Sequence, residues 1–261
     1  MRFLFRRLRI RALLAVLAAV PTFLAFAVWM SGGPESGRGP TFVDQVSRNG
    51  VFAALAGLTI ALPFFLPLTV AVVSGDAISG EASLGTLRYL LVRPAGRTRL
   101  LAVKGATVAV FCLAAAGVVA AAGLLAGVIL FPIGRLVTLS GTTVSLAEGV
   151  FRTFAAAGVV GISLIGLASI GLFVSTLTDA PVGAMAATAG LAVLSGVLDS
   201  LPQTAALHPW LLTHYWLSFG DVLRTPVQWN SIVKDLLLQG GYIAVFASAA
   251  WARFSTKDVL A

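Results

Sequence analysis

Six charged side chains stand close together in residues 81–104, and they are the clearest chemical feature of this chain. They are Glu81, Arg88, Arg93, Arg97, Arg99 and Lys104. Only 11% of the 261 residues are charged, whereas a soluble domain has about 25%. Clustered arginines bind anionic lipid headgroups or acidic patches on a protein. The stretch therefore predicts a surface for binding a lipid or a protein partner.

The other residues capable of chemistry do not form a predicted catalytic, cofactor or metal site. Ser163 lies in an apolar run, but a serine hydrolase needs a histidine base beside it, and His208 and His214 fall in a predicted external loop far along the chain. These histidines are six apart, not four, so one helix face would not present both to a metal. Cys112 is the only cysteine, and the phosphate-binding pattern G-x-x-x-x-G-K-[ST] is absent. Any nucleotide chemistry would therefore belong to a partner.

The composition predicts an all-α integral membrane protein. Hydrophobic residues make up 58% of the chain, and the mean hydropathy is +0.97. A helix needs about 20 apolar residues to cross a bilayer, and strand alternation is lacking. We predict a single domain over residues 1–261 with six spans: Ala12–Met30, Val51–Val73, Ala106–Leu130, Phe154–Val174, Val182–Val197 and Leu236–Ala252. The first run is longer than a signal-peptide core, so we expect it to be retained.

The interiors of these six runs contain no Asp, Glu, Lys, Arg or His. Such groups usually mark ion or proton pathways, so their absence disfavours a proton-coupled carrier or an ion pump. Pro63 and Pro67 should distort the second span. Gly123 and Gly127 should allow close approach of a neighbouring helix.

The distribution of Lys and Arg predicts the orientation in the membrane. With both termini in the cytoplasm, the inner segments carry twelve of these residues and the outer segments six. The basic residues 1–11 are then an inner surface segment, residues 74–104 a cytoplasmic loop, and residues 198–235 an external loop. Five tryptophans, with Tyr215 and Phe219, should form interfacial aromatic belts. Anionic lipid explains the net charge of +8, and no nucleic-acid partner is expected.

The cytoplasmic loop should contain a short amphipathic helix. Asp76 can cap its start, Leu84, Leu87 and Leu91 fall on one face, and the sequence Arg-Pro-Ala-Gly at 93–96 ends it. Two interpretations remain open. The helix either rests on anionic lipid or inserts its leucines into a partner protein, and Glu81 favours the second because a carboxylate gains nothing from anionic lipid.

The stretch "GEASLGTLRYLLVRPAGRTRLLAVK" resembles the cytoplasmic loop of ABC-2 type transporter permeases. That pattern runs from a Glu through Gly-Thr-Leu, a leucine-rich turn and Arg-Pro to an Arg and a Lys at the next span. Glu81, Gly85-Thr86-Leu87, Leu90-Leu91, Arg93-Pro94, Arg97 and Lys104 occupy those places. Outside this loop the likeness lies in the order of spans, the basic N-terminal segment and Lys257-Asp258 after the last span.

The resemblance implies a plasma-membrane permease subunit that exports a hydrophobic or amphipathic substrate. Two such chains, identical or related, would form the pathway, and two cytoplasmic ATPase subunits would bind ATP and Mg²⁺. The loop helix would be the coupling helix that carries ATPase closure to the spans. Its implied contact and bracing residues are Glu81, Leu84, Gly85, Thr86, Leu87, Arg88, Leu91, Arg93, Pro94, Arg97 and Arg99. The alternative is a membrane scaffold that recruits a cytoplasmic partner without moving a substrate.

Overall fold

Long helices account for almost all of the regular structure, as the apolar runs predict. A computed structural model describes residues 8–32, 43–85 and 96–256. The helices are α1 (Leu8–Met30), α2 (Val43–Val46), α3 (Phe52–Ala61), α4 (Phe65–Ser83), α5 (Arg97–Leu130), α6 (Leu146–Leu177), α7 (Pro181–Ser200) and α8 (Trp229–Thr256). A two-stranded antiparallel ribbon, β1 (Leu136–Val137) and β2 (Thr143–Val144), joins α5 to α6. Three 3₁₀ helices, Pro202–Thr204, His208–Trp210 and Trp216–Leu223, lie between α7 and α8.

The chain is an all-α membrane protein that crosses the bilayer several times. Five helices of the described residues, α1, α5, α6, α7 and α8, are each long and apolar enough to span a membrane. The pair α3 and α4 passes the same test together, although the two helices meet at an angle of 58°. Every long helix therefore corresponds to one predicted run.

The bend between α3 and α4 lies at the predicted prolines. Residues 62–64 form a turn, and Phe64 has φ −137° and ψ −59°, outside helical geometry. Proline lacks the amide hydrogen and its ring clashes with the preceding turn, so Pro63 ends the regular hydrogen bonding. The predicted distortion of the run Val51–Val73 is confirmed.

Helix α6 lies at the centre of the bundle. It packs against α4, α5, α7 and α8, and 67% of its most apolar window is buried, against 17–22% for α1, α7 and α8. The outer helices therefore present apolar faces that suit lipid. Gly127 and Gly50 bring α5 against the residues before α3, because a Cβ on either would collide with the other's carbonyl oxygen. This confirms the predicted close approach at Gly127.

Three helix boundaries differ from those of the predicted runs. Helix α1 begins by Leu8, so residues 8–11 are continuous with the helix of the first run, and residues 1–7 lie outside the described part of the chain. Helix α4 continues to Ser83, which puts Asp76 inside it and not at the cap of a new helix. The last helix begins at Trp229, not at Leu236, because Asp235 finds polar partners inside the bundle.

The aromatic segment, residues 201–228, packs into the bundle and does not simply lie along its edge. Trp216, Phe219 and Leu223 are almost fully buried, and the Trp216–Leu223 helix packs against α6 and α8. Trp210 and Trp229 are instead 72% and 64% exposed, as an interfacial role requires. The predicted belt is therefore wrong for Trp216 and Phe219, whose rings bury more apolar area against the helices than at a lipid headgroup.

Candidate functional site

The candidate site is the loop end of the bundle, defined as the end where α4 finishes and α5 begins. Glu81 lies in the last turn of α4, and Lys104 lies two turns into α5. The Lys104 ammonium donates to Glu81 Oε1 at 3.0 Å, and the two side chains are 22% and 20% exposed. Such a partly buried pair is screened less by solvent than a surface pair. It fixes the two ends of the connecting segment relative to each other.

A second ion pair at the loop end joins α1 to α4. Arg9 donates from Nη1 to Asp76 Oδ2 at 2.8 Å, and its Nη2 lies 3.5 Å from the sulfur of Met185 on α7. Asp76 follows the apolar run of α4, and α4 remains helical through it. Arg9, predicted from the sequence to lie in a surface segment, therefore contacts both α4 and α7.

Arg97 links the start of α5 to the end of α8. Its guanidinium donates to the carbonyl oxygens of Ser255 at 2.9 Å and Phe254 at 3.4 Å. The last carbonyls of a helix lack intrahelical partners and carry partial negative charge, so an arginine satisfies them well. Trp251 Nε1 donates to Thr98 Oγ1 at 3.1 Å beside this contact.

The predicted coupling residues are only partly described by the structure. Glu81 and Arg97 are placed in contacts between helices, Leu84 is 76% exposed, and Arg99 is exposed. Gly85 has φ +67°, which glycine adopts without strain. The remaining predicted residues, Thr86, Leu87, Arg88, Leu91, Arg93 and Pro94, lie outside the described residues.

Among the residues that the structure describes, a cavity of about 720 Å³ opens at the loop end between α1, α4, α5 and α7. Its wall includes Arg9, Asp76, Glu81 and Lys104. The rest of the wall is mainly apolar and includes Leu13, Val73, Val103 and Val182. The volume falls in the range of small-molecule sites, about 300–1,000 Å³. A mostly apolar cavity whose wall also carries charged side chains suits an amphipathic molecule.

A buried polar cluster lies on α6 and α8, away from the loop end. Ser163 donates a hydrogen bond to Asp235, and Gln239 Nε2 donates to Asp235 Oδ1 at 3.1 Å and to the carbonyl of Leu212 at 2.9 Å. All three side chains are fully buried. The sequence predicted no ionisable groups inside the apolar runs, but Asp235 is buried inside helix α8. The last predicted run began at Leu236 and therefore left Asp235 out. The i, i+4 spacing of Asp235 and Gln239 was the sequence signal that could have predicted a polar cluster on one helix face.

Comparison with known proteins gives a family but no function. No curated protein matches the chain. Residues 13–260 match the family described as "Protein of unknown function (DUF2705)". Because this match covers far more than half of the chain, the chain belongs to the DUF2705 family.

Proposed function

We propose that this chain is the permease subunit of an ATP-binding cassette transporter, driven by a separate cytoplasmic ATPase. The observation that carries the proposal is the Glu81–Lys104 ion pair, 3.0 Å long, at the base of the segment that resembles a coupling loop. A loop that only rested on lipid would not require its two ends to be joined by partly buried charges. A loop that transmits force requires a firm connection to the spans on both sides.

The contacts at the loop end support a path for that force. Movement of residues 86–95 acts directly on α4 and α5, which the Glu81–Lys104 pair holds together. Arg97 passes the movement of α5 to α8 through the carbonyls of Phe254 and Ser255. The Arg9–Asp76 pair connects α4 to α1. Four helices therefore respond to one segment.

The full proposal includes the topology and the partners. The chain has six spans in the plasma membrane, with α3 and α4 counted as one bent span, and both termini and the loop end face the cytoplasm. The coupling helix contacts the ATPase through the residues named in the sequence analysis. Two ATPase subunits supply ATP and Mg²⁺, and a second permease chain, identical or related, completes the pathway.

The cavity at the loop end supports an amphipathic substrate for export. Its apolar wall accepts a hydrocarbon body, and Arg9, Asp76, Glu81 and Lys104 lie where a polar or charged head would sit. Because two of these residues also form the Glu81–Lys104 pair at the base of the loop, movement of the loop would change the shape of the cavity. This relation offers a direct connection between ATP hydrolysis and release of the substrate.

The first test is gentle purification of the tagged chain from its native membrane, followed by mass spectrometry of the proteins that accompany it. We expect an ATPase subunit with a phosphate-binding loop, in a ratio of one per chain, and we expect Arg88→Glu to abolish its recovery. The matched control is Arg135→Glu, the same charge reversal at an exposed position at the other end of the bundle. Recovery of a different cytoplasmic protein, or none, would favour the scaffold.

Recruitment and transport must then be separated. Glu81→Ala should leave the protein in the membrane and bound to the ATPase but should uncouple ATP hydrolysis from substrate movement, measured in vesicles that contain both subunits. Normal transport by both Glu81→Ala and Arg88→Glu would eliminate the coupling assignment.

A further inference from the structure

We infer that Asp199, His208 and His214 form a Zn²⁺ site at the end of the bundle opposite the loop end. One ligand atom from each side chain lies within 4.8 Å of the others. These three residues share none of the contacts at the loop end. Sequence spacing disfavoured a metal site because the two histidines are six apart, but they do not lie on one regular helix: His208 begins a 3₁₀ helix and His214 lies in the following turn.

Hydrogen bonds between α7 and the segment that follows it set the positions of these side chains before any cation binds. Asp199 and Ser195 are one turn apart on α7 and therefore share a face. Ser195 Oγ lies 2.9 Å from Thr213 Oγ1 and accepts a hydrogen bond from the Thr213 amide at 3.2 Å. Asp199 Oδ1 lies 2.6 Å from His214 Nδ1. The face of α7 therefore sets both the position and the orientation of His214.

His208 is positioned separately by the chain that follows α7. Its Nε2 lies 3.1 Å from the carbonyl oxygen of Leu201 and 3.4 Å from Thr204 Oγ1. Thr204 in turn donates to the carbonyls at the end of α7, Leu198 at 2.5 Å and Leu201 at 2.8 Å. The two imidazole rings are 5.7 Å apart between centroids and inclined by 36°. Small side-chain adjustments would direct both rings and the carboxylate to one cation.

The ligand set favours a transition-metal cation such as Zn²⁺ over Mg²⁺ or Ca²⁺. Two imidazole nitrogens and one carboxylate oxygen suit Zn²⁺, whereas Mg²⁺ and Ca²⁺ prefer oxygen alone. Three protein ligands leave one tetrahedral position for water. All three residues are partly exposed, so a cation can reach them from the aqueous side. Bound Zn²⁺ would connect the aromatic segment to α7.

The test uses the full chain, purified in detergent with an affinity tag that contains no histidine and stripped with a chelator. The chain has only two histidines, and its single cysteine is buried, so background binding should be low. We expect calorimetric titration with Zn²⁺ to give one site per chain. Each of the single substitutions His208→Gln, His214→Gln and Asp199→Asn should raise the Kd for Zn²⁺ by more than about tenfold. Loss of an outer-shell hydrogen-bond partner already weakens metal binding by about tenfold or more, and loss of a ligand should weaken it further.

The matched control is Asp179→Asn, the same substitution just before the other end of α7, and it should bind Zn²⁺ as the unchanged protein does. Because a variant could fail to fold, a second measurement uses the unchanged chain. Diethylpyrocarbonate should modify both histidines without metal, and Zn²⁺ should protect both. Absence of Zn²⁺ binding, unprotected histidines or an equal effect of Asp179→Asn would overturn the site.

Discussion

Lys104 on α5 and Glu81 on α4 form a 3.0 Å ion pair across the two ends of one connecting segment. They are 23 residues apart in the sequence, so the pair closes a loop rather than bracing a single helix. Both side chains also line the cavity at the loop end. The same two residues therefore join α4 to α5 and form part of the cavity wall.

Charge reversal at either member should destabilise the bundle. Breaking a fully buried pair costs about 3–5 kcal/mol, and because these side chains are about one-fifth exposed, we expect about 1–3 kcal/mol. Glu81→Lys and Lys104→Glu should each lower the midpoint of thermal unfolding in detergent, and the double variant should recover most of the loss. Arg99→Glu provides the control, since it reverses an exposed charge on the same helix. An equal effect of Arg99→Glu and Lys104→Glu would show that the pair contributes nothing specific.

Composition and apolar run length predict most of the helices because only helices satisfy the backbone in lipid. They also predict the bend, since Pro63 acts through its own ring and missing amide hydrogen. They do not predict the helix ends. In the sequence, Asp76 and Asp235 look like the ends of apolar runs. Each nevertheless lies inside a helix, because Asp76 forms an ion pair with Arg9 and Asp235 accepts a hydrogen bond from Ser163.

The candidate sites depend still more on tertiary structure. The charges at 81–104 are visible in the sequence, but the contact of Arg97 with the end of α8 joins residues more than 150 apart. His214 and Asp199 are brought together by the path of the aromatic segment. A local sequence pattern does not reveal such a path. The six-residue spacing of His208 and His214 therefore disfavoured the metal site that we infer from the structure.

Gly127→Ala should force α5 away from the chain before α3. The added methyl group would overlap the carbonyl oxygen of Gly50, and overpacking of this kind costs about 1–3 kcal/mol. The control is Gly117→Ala on the same helix, where nothing lies within 4 Å of the added methyl group. It should be neutral or stabilising, because alanine favours the helix by about 1 kcal/mol. Thermal unfolding of the two variants in detergent measures the difference, and an equal loss in both would disprove the close approach.

Ser163→Ala should destabilise the contact between α6 and α8. Asp235 would lose a hydrogen-bond donor in a fully buried position, at a cost of about 1–3 kcal/mol. Ser74→Ala is the control: Ser74 is also fully buried, but its hydroxyl donates to Val70 within its own helix. Unfolding midpoints should fall clearly for Ser163→Ala and much less for Ser74→Ala. The reverse order would mean that the Asp235 cluster does not hold the helices together.

Arg97→Met should separate ATPase recruitment from transport if the proposed function is correct. Arg97 satisfies the last carbonyls of α8, at 2.9 Å and 3.4 Å, and a hydrogen bond from a charged group contributes about 1.5–3 kcal/mol. Its loss weakens the connection between α5 and α8 and leaves the sequence of residues 86–95 unchanged. We expect recovery of the ATPase to be unchanged and ATP-driven transport in vesicles to fall roughly tenfold, the rate equivalent of about 1.4 kcal/mol.

The control for this last substitution is Arg253→Met, which removes an exposed cation from α8 at the same end of the bundle. If both variants lose transport equally, the effect comes from the lost positive charge near the membrane surface and not from the Arg97 contact. If Arg97→Met instead loses the ATPase itself, Arg97 belongs to the docking surface, and the movement must reach α8 by another route. Only loss of transport with the ATPase retained supports a mechanical connection from α5 to α8.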